Sequence, residues 1–108
     1  MTVRELTEAA GLRAAALPDG ERPVTGAYVG DLLSWVMGRA AAGDAWITIM
    51  SNSNIVAVAA LADVACIVLA EGVQPDDGVA ALAAQKGINL LLSPVSAYET
   101  ALRLHTQL

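Results

Sequence analysis

The sequence predicts an α/β domain with a mainly parallel sheet of about five strands flanked by helices. Three observations predict it. From Ala45 onward, extended and helical patterns alternate as strand, helix, strand, helix, strand, helix, and that order calls for right-handed crossovers between parallel strands. Ala65 to Ala70 is an unbroken apolar run, as expected of a strand covered on both faces. The turn signals Gly11, Pro18-Asp19-Gly20, Gly43-Asp44, Ser51 to Asn54, Gly72 to Pro75 and Ser93-Pro94 fall between these segments rather than within them.

The elements follow in order. Thr2 caps a first helix that runs through Ala10, with Glu5 three residues on completing a capping box, and Gly11 ends it. Leu12 to Leu17 and Val24 to Val29 read as strands, expected to pair antiparallel across the Pro18-Asp19-Gly20 turn. Asp31 caps a helix from Leu32 to about Ala42, whose apolar face is Leu32, Leu33, Val36, Met37 and Ala40. Ala45 to Met50 is a strand of Trp and β-branched residues. The helix from Ile55 to Asp63 is apolar on every side, which implies burial on both faces or a subunit contact. Pro75 with Asp76-Asp77 opens the next helix, which stops at Gly87. Ile88 to Leu92 is the last strand. Ser93 caps and Pro94 begins a final helix from Val95 to Leu108.

Composition limits the function classes. The 108 residues fit one domain. Hydrophobic residues make up 56% of the chain, with no Phe, above the usual share of about 45–50%. A small domain has too much surface to hide that excess, so a homodimer is expected. The net charge is −5, and the six Lys and Arg residues are scattered singly, which argues against nucleic acid and against a basic membrane anchor. The only cysteine, Cys66, lies in an apolar run and reads as a buried core residue. One cysteine and one histidine build neither a disulfide framework nor a metal centre. With no signal-like start and no membrane-length apolar stretch, a cytoplasmic location is expected.

In a parallel sheet, ligands gather beyond the carboxyl ends of the strands, where helix N-termini offer free N–H groups. Three polar clusters are expected at that rim: Ser51 to Asn54, Gly72-Val73-Gln74, and Ser93 with Ser96. Capping explains one Ser or Asn at each helix start. Four polar residues in succession exceed one cap, which makes Ser51, Asn52, Ser53 and Asn54 the leading ligand-binding candidates, joined by Thr25, Gly26 and Gln74. Catalysis has no constellation to rest on. There is no G-x-x-x-x-G-K-[ST] loop, no G-x-S-x-G elbow and no Cys–His pair, and His105 reads as a last-turn helix cation. No catalytic residue, metal or cofactor is expected.

The run Glu21-Arg22-Pro23-Val24-Thr25-Gly26 resembles the signature of the DRTGG domain family, with Glu for the first Asp and Ala27 in place of a second Gly. Tyr28 to Leu33, Gly43 to Ile49, Asn54 to Ala59, Gly72 to Pro75 and the Ser93-Pro94 opening are similar to the family's continuation. The resemblance implies a fold like the N-terminal domains of HPr kinase/phosphorylase and of certain Mur ligases. It implies a regulatory or assembly role, since such domains occur beside CBS domains, in phosphotransacetylase-like proteins and near iron-only hydrogenases and histidine-kinase-like ATPases. It transfers no catalytic residue. Two functions follow as expectations: a homodimeric regulatory domain binding an anionic or nucleotide-like small molecule, or an adaptor docking onto an enzyme complex or kinase without a ligand.

Overall fold

A computed structural model describes all 108 residues. Ten elements follow one another: α1 (Val3–Ala9), β1 (Arg13–Ala16), β2 (Gly26–Val29), α2 (Leu33–Arg39), β3 (Asp44–Thr48), α3 (Asn54–Ala62), β4 (Cys66–Leu69), α4 (Val79–Gln85), β5 (Leu90–Leu92) and α5 (Ala97–Gln107). The five strands form one sheet in the order β1-β5-β4-β3-β2. Strands β2 to β5 are parallel, and β1 runs antiparallel to β5.

Each face of the sheet has its own core, because alternate residues of a strand point to opposite sides. Trp46, Ile67, Leu69 and Leu90 pack with Val36, Ile55 and Val79 from α2, α3 and α4. Ala45, Ile47, Val68 and Leu91 pack with Val3 and Leu6 from α1 and Leu104 from α5. Strands β3, β4 and β5 are therefore buried throughout, which is why β4 and β5 are continuous apolar runs, and β3 carries Ala45-Trp46-Ile47 between the hydrogen-bonded Asp44 and Thr48.

The expected β1–β2 hairpin does not form. The two strands occupy opposite edges of the sheet, about 19 Å apart at four strand spacings. The connection runs along the rim at the amino ends of the parallel strands, held first by Asn89, just before β5, whose side chain accepts from the Asp19 N–H at 2.9 Å and donates to the Asp19 carbonyl at 2.8 Å. The N-terminus then takes the rest: Arg4 N–H donates to the Gly20 carbonyl, Val3 N–H to Arg22, and Val24 N–H to Met1. Those bonds lead the chain past α1 to the far edge.

Helix starts also differ from expectation. The α1 capping box is present in full. Asp31 does not cap α2. Its carboxylate accepts from the Thr48 hydroxyl at 2.8 Å and the Ile49 N–H at 3.0 Å, tying the end of β2 to the end of β3. Helix α2 is shorter than expected, and Leu32 and Met37 face outward. Pro75, Asp76 and Asp77 precede α4 rather than opening it; Gly78, at φ +83°, turns the chain into the helix. Ser96, not Ser93, caps α5 by accepting from the Glu99 N–H. Ser93 is buried, with its hydroxyl 2.7 Å from that of Thr100. Helix α3 buries one side only, through Ile55, Val56, Val58 and Ala59, and leaves Ala57, Ala60 and Leu61 exposed. No helix is long and apolar enough to cross a membrane.

Candidate functional site

Parallel pairing of β3, β4 and β5 puts their carboxyl ends on one rim, and the loops after them are stitched together there. The Ser51 hydroxyl donates to the Asp76 carboxylate at 2.8 Å, and Asp76 N–H donates to the Ser51 carbonyl. Gly72 N–H donates to the Ser93 carbonyl, and Glu71 N–H to Val95. The expectation that the three polar clusters share one rim therefore holds.

The helix N-termini on that rim are not free, however. Glu71, in the left-handed region at φ 63°, turns its carboxylate onto the Ala97 N–H at 2.6 Å, so the positive end of α5 already holds an anion of the chain's own. Asn52 accepts from the Asn54 N–H at 2.9 Å, and the Asn52 and Ser53 carbonyls take the next two amides of α3. Of the candidate cluster, Ser51 and Asn52 are thus spent on loop structure. Ser53 and Asn54 are exposed at the start of α3 and face a groove between α3 and α4.

Thr25 and Gly26 do not join the others. They stand at the entrance of β2, level with the entrance of β3: Thr25 N–H donates to the Gly43 carbonyl, and Gly26 pairs with Asp44. Since β2 and β3 are parallel, that is the opposite rim from Ser51 to Asn54. Close packing explains both residues. A Cβ on Gly26 would lie 2.7 Å from the Asp44 carboxylate, which accepts from the Ala41 N–H. Gly43, at φ +86°, has Thr25 Oγ1 2.5 Å from where its Cβ would be. The Thr-Gly pair locks β2 onto β3. Arg22, from the same run, donates to the Asp63 carboxylate at 2.8 Å and to the Asp63 carbonyl at 2.7 Å, closing the end of α3.

Gln74 lies in a second depression, of about 220 Å³, with Gly72 and Ser93 on one side and Arg13 on the other. Sequence reading missed Arg13. Its antiparallel strand brings its first residue to the carboxyl end of β5, opposite Leu92. The charge pattern is the available signal. Arg4 pairs with Glu21, Arg22 with Asp63, Arg103 with Glu99, and Arg39 lies 3.6 Å over the Trp35 ring. Arg13 and Lys86 have no such partner, and each lines one of the two depressions.

No three His, Cys, Asp or Glu side chains gather as a metal site. Burial pushes the Cys66 thiol up to about 12, opposed only by the positive charge of Arg22, so it is not a nucleophile near neutrality. The carboxyl of Glu5 is held below its ordinary value by hydrogen bonds from the Thr2 backbone and hydroxyl, as a helix cap rather than a reactive acid.

No curated protein matches the sequence. Among solved structures, the fold resembles the CBS and DRTGG domains of the regulatory region of Clostridium perfringens pyrophosphatase, in complex with its activator diadenosine tetraphosphate. The TM-score is 0.74 at 14% identity over 95% of this chain, which spans 45% of that structure's length. The profile of the DRTGG domain matches residues 22–107, most of the sequence, and the chain belongs to the DRTGG domain family.

Proposed function

We propose that this chain is a non-catalytic regulatory domain that binds an anionic or nucleotide-like small molecule and acts as a homodimer. The observation that carries the ligand reading is Arg13. It is a cation with no protein partner, in a depression where the ends of β4 and β5 bring the Gln74 amide to the same opening. An unpaired guanidinium beside an amide is a fitting receptor for one phosphate or carboxylate group. The similar pyrophosphatase region is regulatory and is held with a nucleotide activator, which supports the same ligand class. Of the candidate site residues, Gln74 stays in the pocket. Ser51 and Asn52 shape the rim beside it, and Ser53 and Asn54 belong to the neighbouring groove. Thr25 and Gly26 act at a distance, by packing.

The dimer reading rests on a difference between the two sheet edges. Exposed edge strands invite pairing, and proteins blunt them with charges and bulges. The β1 edge has both: Arg13, and a register shift between Ala14 and Ala16. The β2 edge, Gly-Ala-Tyr-Val, has neither. Around it Val29, Leu32, Trp35, Met37 and Ile49 are all about half exposed. Two copies meeting along β2 would extend the sheet and cover those side chains. The charges beside it are of opposite sign, Asp31 held by Thr48 and Ile49 and Arg39 stacked on Trp35, so a second copy meets no net like charge.

Thermal shift with AMP, ATP, diadenosine tetraphosphate and inorganic phosphate tests the ligand. Saturation at about 100 times the dissociation constant adds about 2.7 kcal/mol, and Arg13→Ala is expected to abolish the shift. Absence of any shift in folded protein rejects the ligand reading. Light scattering tests the dimer: Val29→Lys is expected to give monomers, and a wild-type monomer at micromolar concentration rejects it. Persistent dimers with no ligand response would favour the adaptor reading, which Leu61, 71% exposed on the outer side of α3, also favours.

A further inference from the structure

We propose that the groove between α3 and α4 is a separate binding site for an amphipathic monocarboxylate, an apolar body of about 10 Å carrying a single negative charge at one end. The groove encloses about 460 Å³, within the roughly 300–1,000 Å³ of small-molecule sites. It lies on the face of the sheet that α2, α3 and α4 cover and shares no lining residue with the Arg13 depression.

Its chemistry comes from two stripes. Ser53, the N-cap of α3, and Ala57 and Ala60 within it recur at helical spacing, seven residue steps that span about 10 Å at 1.5 Å per residue. Along α4, Leu82 and Lys86 are one turn apart. Both helices connect parallel strands and so run the same way, and the Ser51–Asp76 bonds hold the segments before them side by side. Asn54 and Ser53 therefore mark one end of the groove, and Lys86, the C-cap of α4, the other. Between them the lining is alanine, valine and leucine. Small side chains keep the channel open, and their apolar surface gains by being covered, at about 25 cal/mol per Å².

The occupant's charge follows from Lys86. It is the only lysine in a chain of net charge −5, and no carboxylate lies within ion-pair reach of it. One ammonium at the end of an apolar channel complements one carboxylate. Against these apolar walls a phosphate dianion would have the Lys86 ammonium alone to satisfy it, without the amide that accompanies Arg13 in the other depression. At the opposite end the Ser53 hydroxyl and the Asn54 side-chain amide make no hydrogen bond within the protein and stand ready for a polar group on the far end of a ligand.

Backbone-amide NMR titration with octanoate, 3-phenylpropanoate and 1-octanol tests the site. Octanoate or 3-phenylpropanoate is expected to shift the amides of Ala57, Ala60, Leu82 and Lys86, with octanol binding more weakly. Lys86→Gln is expected to weaken the acids about fivefold, the scale of one exposed ion pair, and to leave octanol unchanged. Ala60→Leu, which fills the channel from an exposed helical position, is expected to weaken all three probes. Arg13→Gln is expected to leave all three unaffected, which separates this site from the one proposed for anions. Failure of both acids to bind, shifts confined to other residues, or unchanged acid binding in Lys86→Gln or Ala60→Leu overturns the proposal. Thermal melts of each variant confirm that the fold persists.

Discussion

Asn89 is the side chain on which the crossing from β1 to β2 most depends, and replacing it by alanine gives the sharpest test of the fold. It is 1% exposed and uses both ends of its amide: Oδ1 accepts from the Asp19 N–H at 2.9 Å, while Nδ2 donates to the Asp19 carbonyl at 2.8 Å and the Ala65 carbonyl at 3.0 Å. A hydrogen bond of this kind contributes about 1 kcal/mol net. Asp19 is exposed and recovers some of its loss from water, whereas Ala65 is buried. Asn89→Ala is therefore expected to cost about 2–3 kcal/mol, a fall in Tm of about 10 °C for a domain of this size. Urea unfolding followed by the fluorescence of Trp46, fully buried in the core, measures it directly. Asn89→Asp should be worse near neutral pH, because a carboxylate would face the two carbonyls that the amide now donates to. A loss below about 1 kcal/mol for Asn89→Ala would refute the claim that this amide anchors the crossing.

Three further outcomes are expected. Cys66 should resist Ellman's reagent in the folded protein and react on unfolding. Its folded pKa of about 12 lies above its ordinary value of 9.0, so its contribution is complete below about pH 9 and is lost as pH rises toward 12. Over that window stability should fall by up to about 4 kcal/mol at 1.36 kcal/mol per unit, and Cys66→Ala should flatten the alkaline limb in urea melts. Gly43→Ala forces an L-residue to φ +86° and sets its Cβ against Thr25 Oγ1; a loss of at least about 1–2 kcal/mol is expected, with only the steric part recovered by adding Thr25→Ala. Arg22→Ala removes a pair whose side chains are 27% and 64% exposed, so solvent screening limits the loss to about 1 kcal/mol, and urea melts at low and high salt should show the ionic part shrinking.

Local rules carried much of this architecture. The capping box Thr2–Glu5, the stop at Gly11, and the apolar runs of β3, β4 and β5 are legible because they depend on neighbours within a few residues, or on burial of both faces of a strand. The shared rim is legible for the same reason, since parallel strands joined by helices must bring their carboxyl ends together. Partner choice is another matter. Nothing near Pro18-Asp19-Gly20 reveals that β1 joins β5 rather than β2, because Asn89 lies 70 residues from Asp19.

The candidate site divides along the same line. The sequence by itself determined that polar residues cluster after β3, β4 and β5. Tertiary structure decided what each one does: Glu71 fills the start of α5, Asp31 leaves α2 to bind Thr48, and Thr25 and Gly26 go to the far rim to lock two strands. It also brought Arg13 and Lys86, unremarkable along the chain, to the two openings where no carboxylate meets them. A residue's capacity to donate or accept is written in its type. Whether that capacity is satisfied depends on segments that only folding brings within 3 Å.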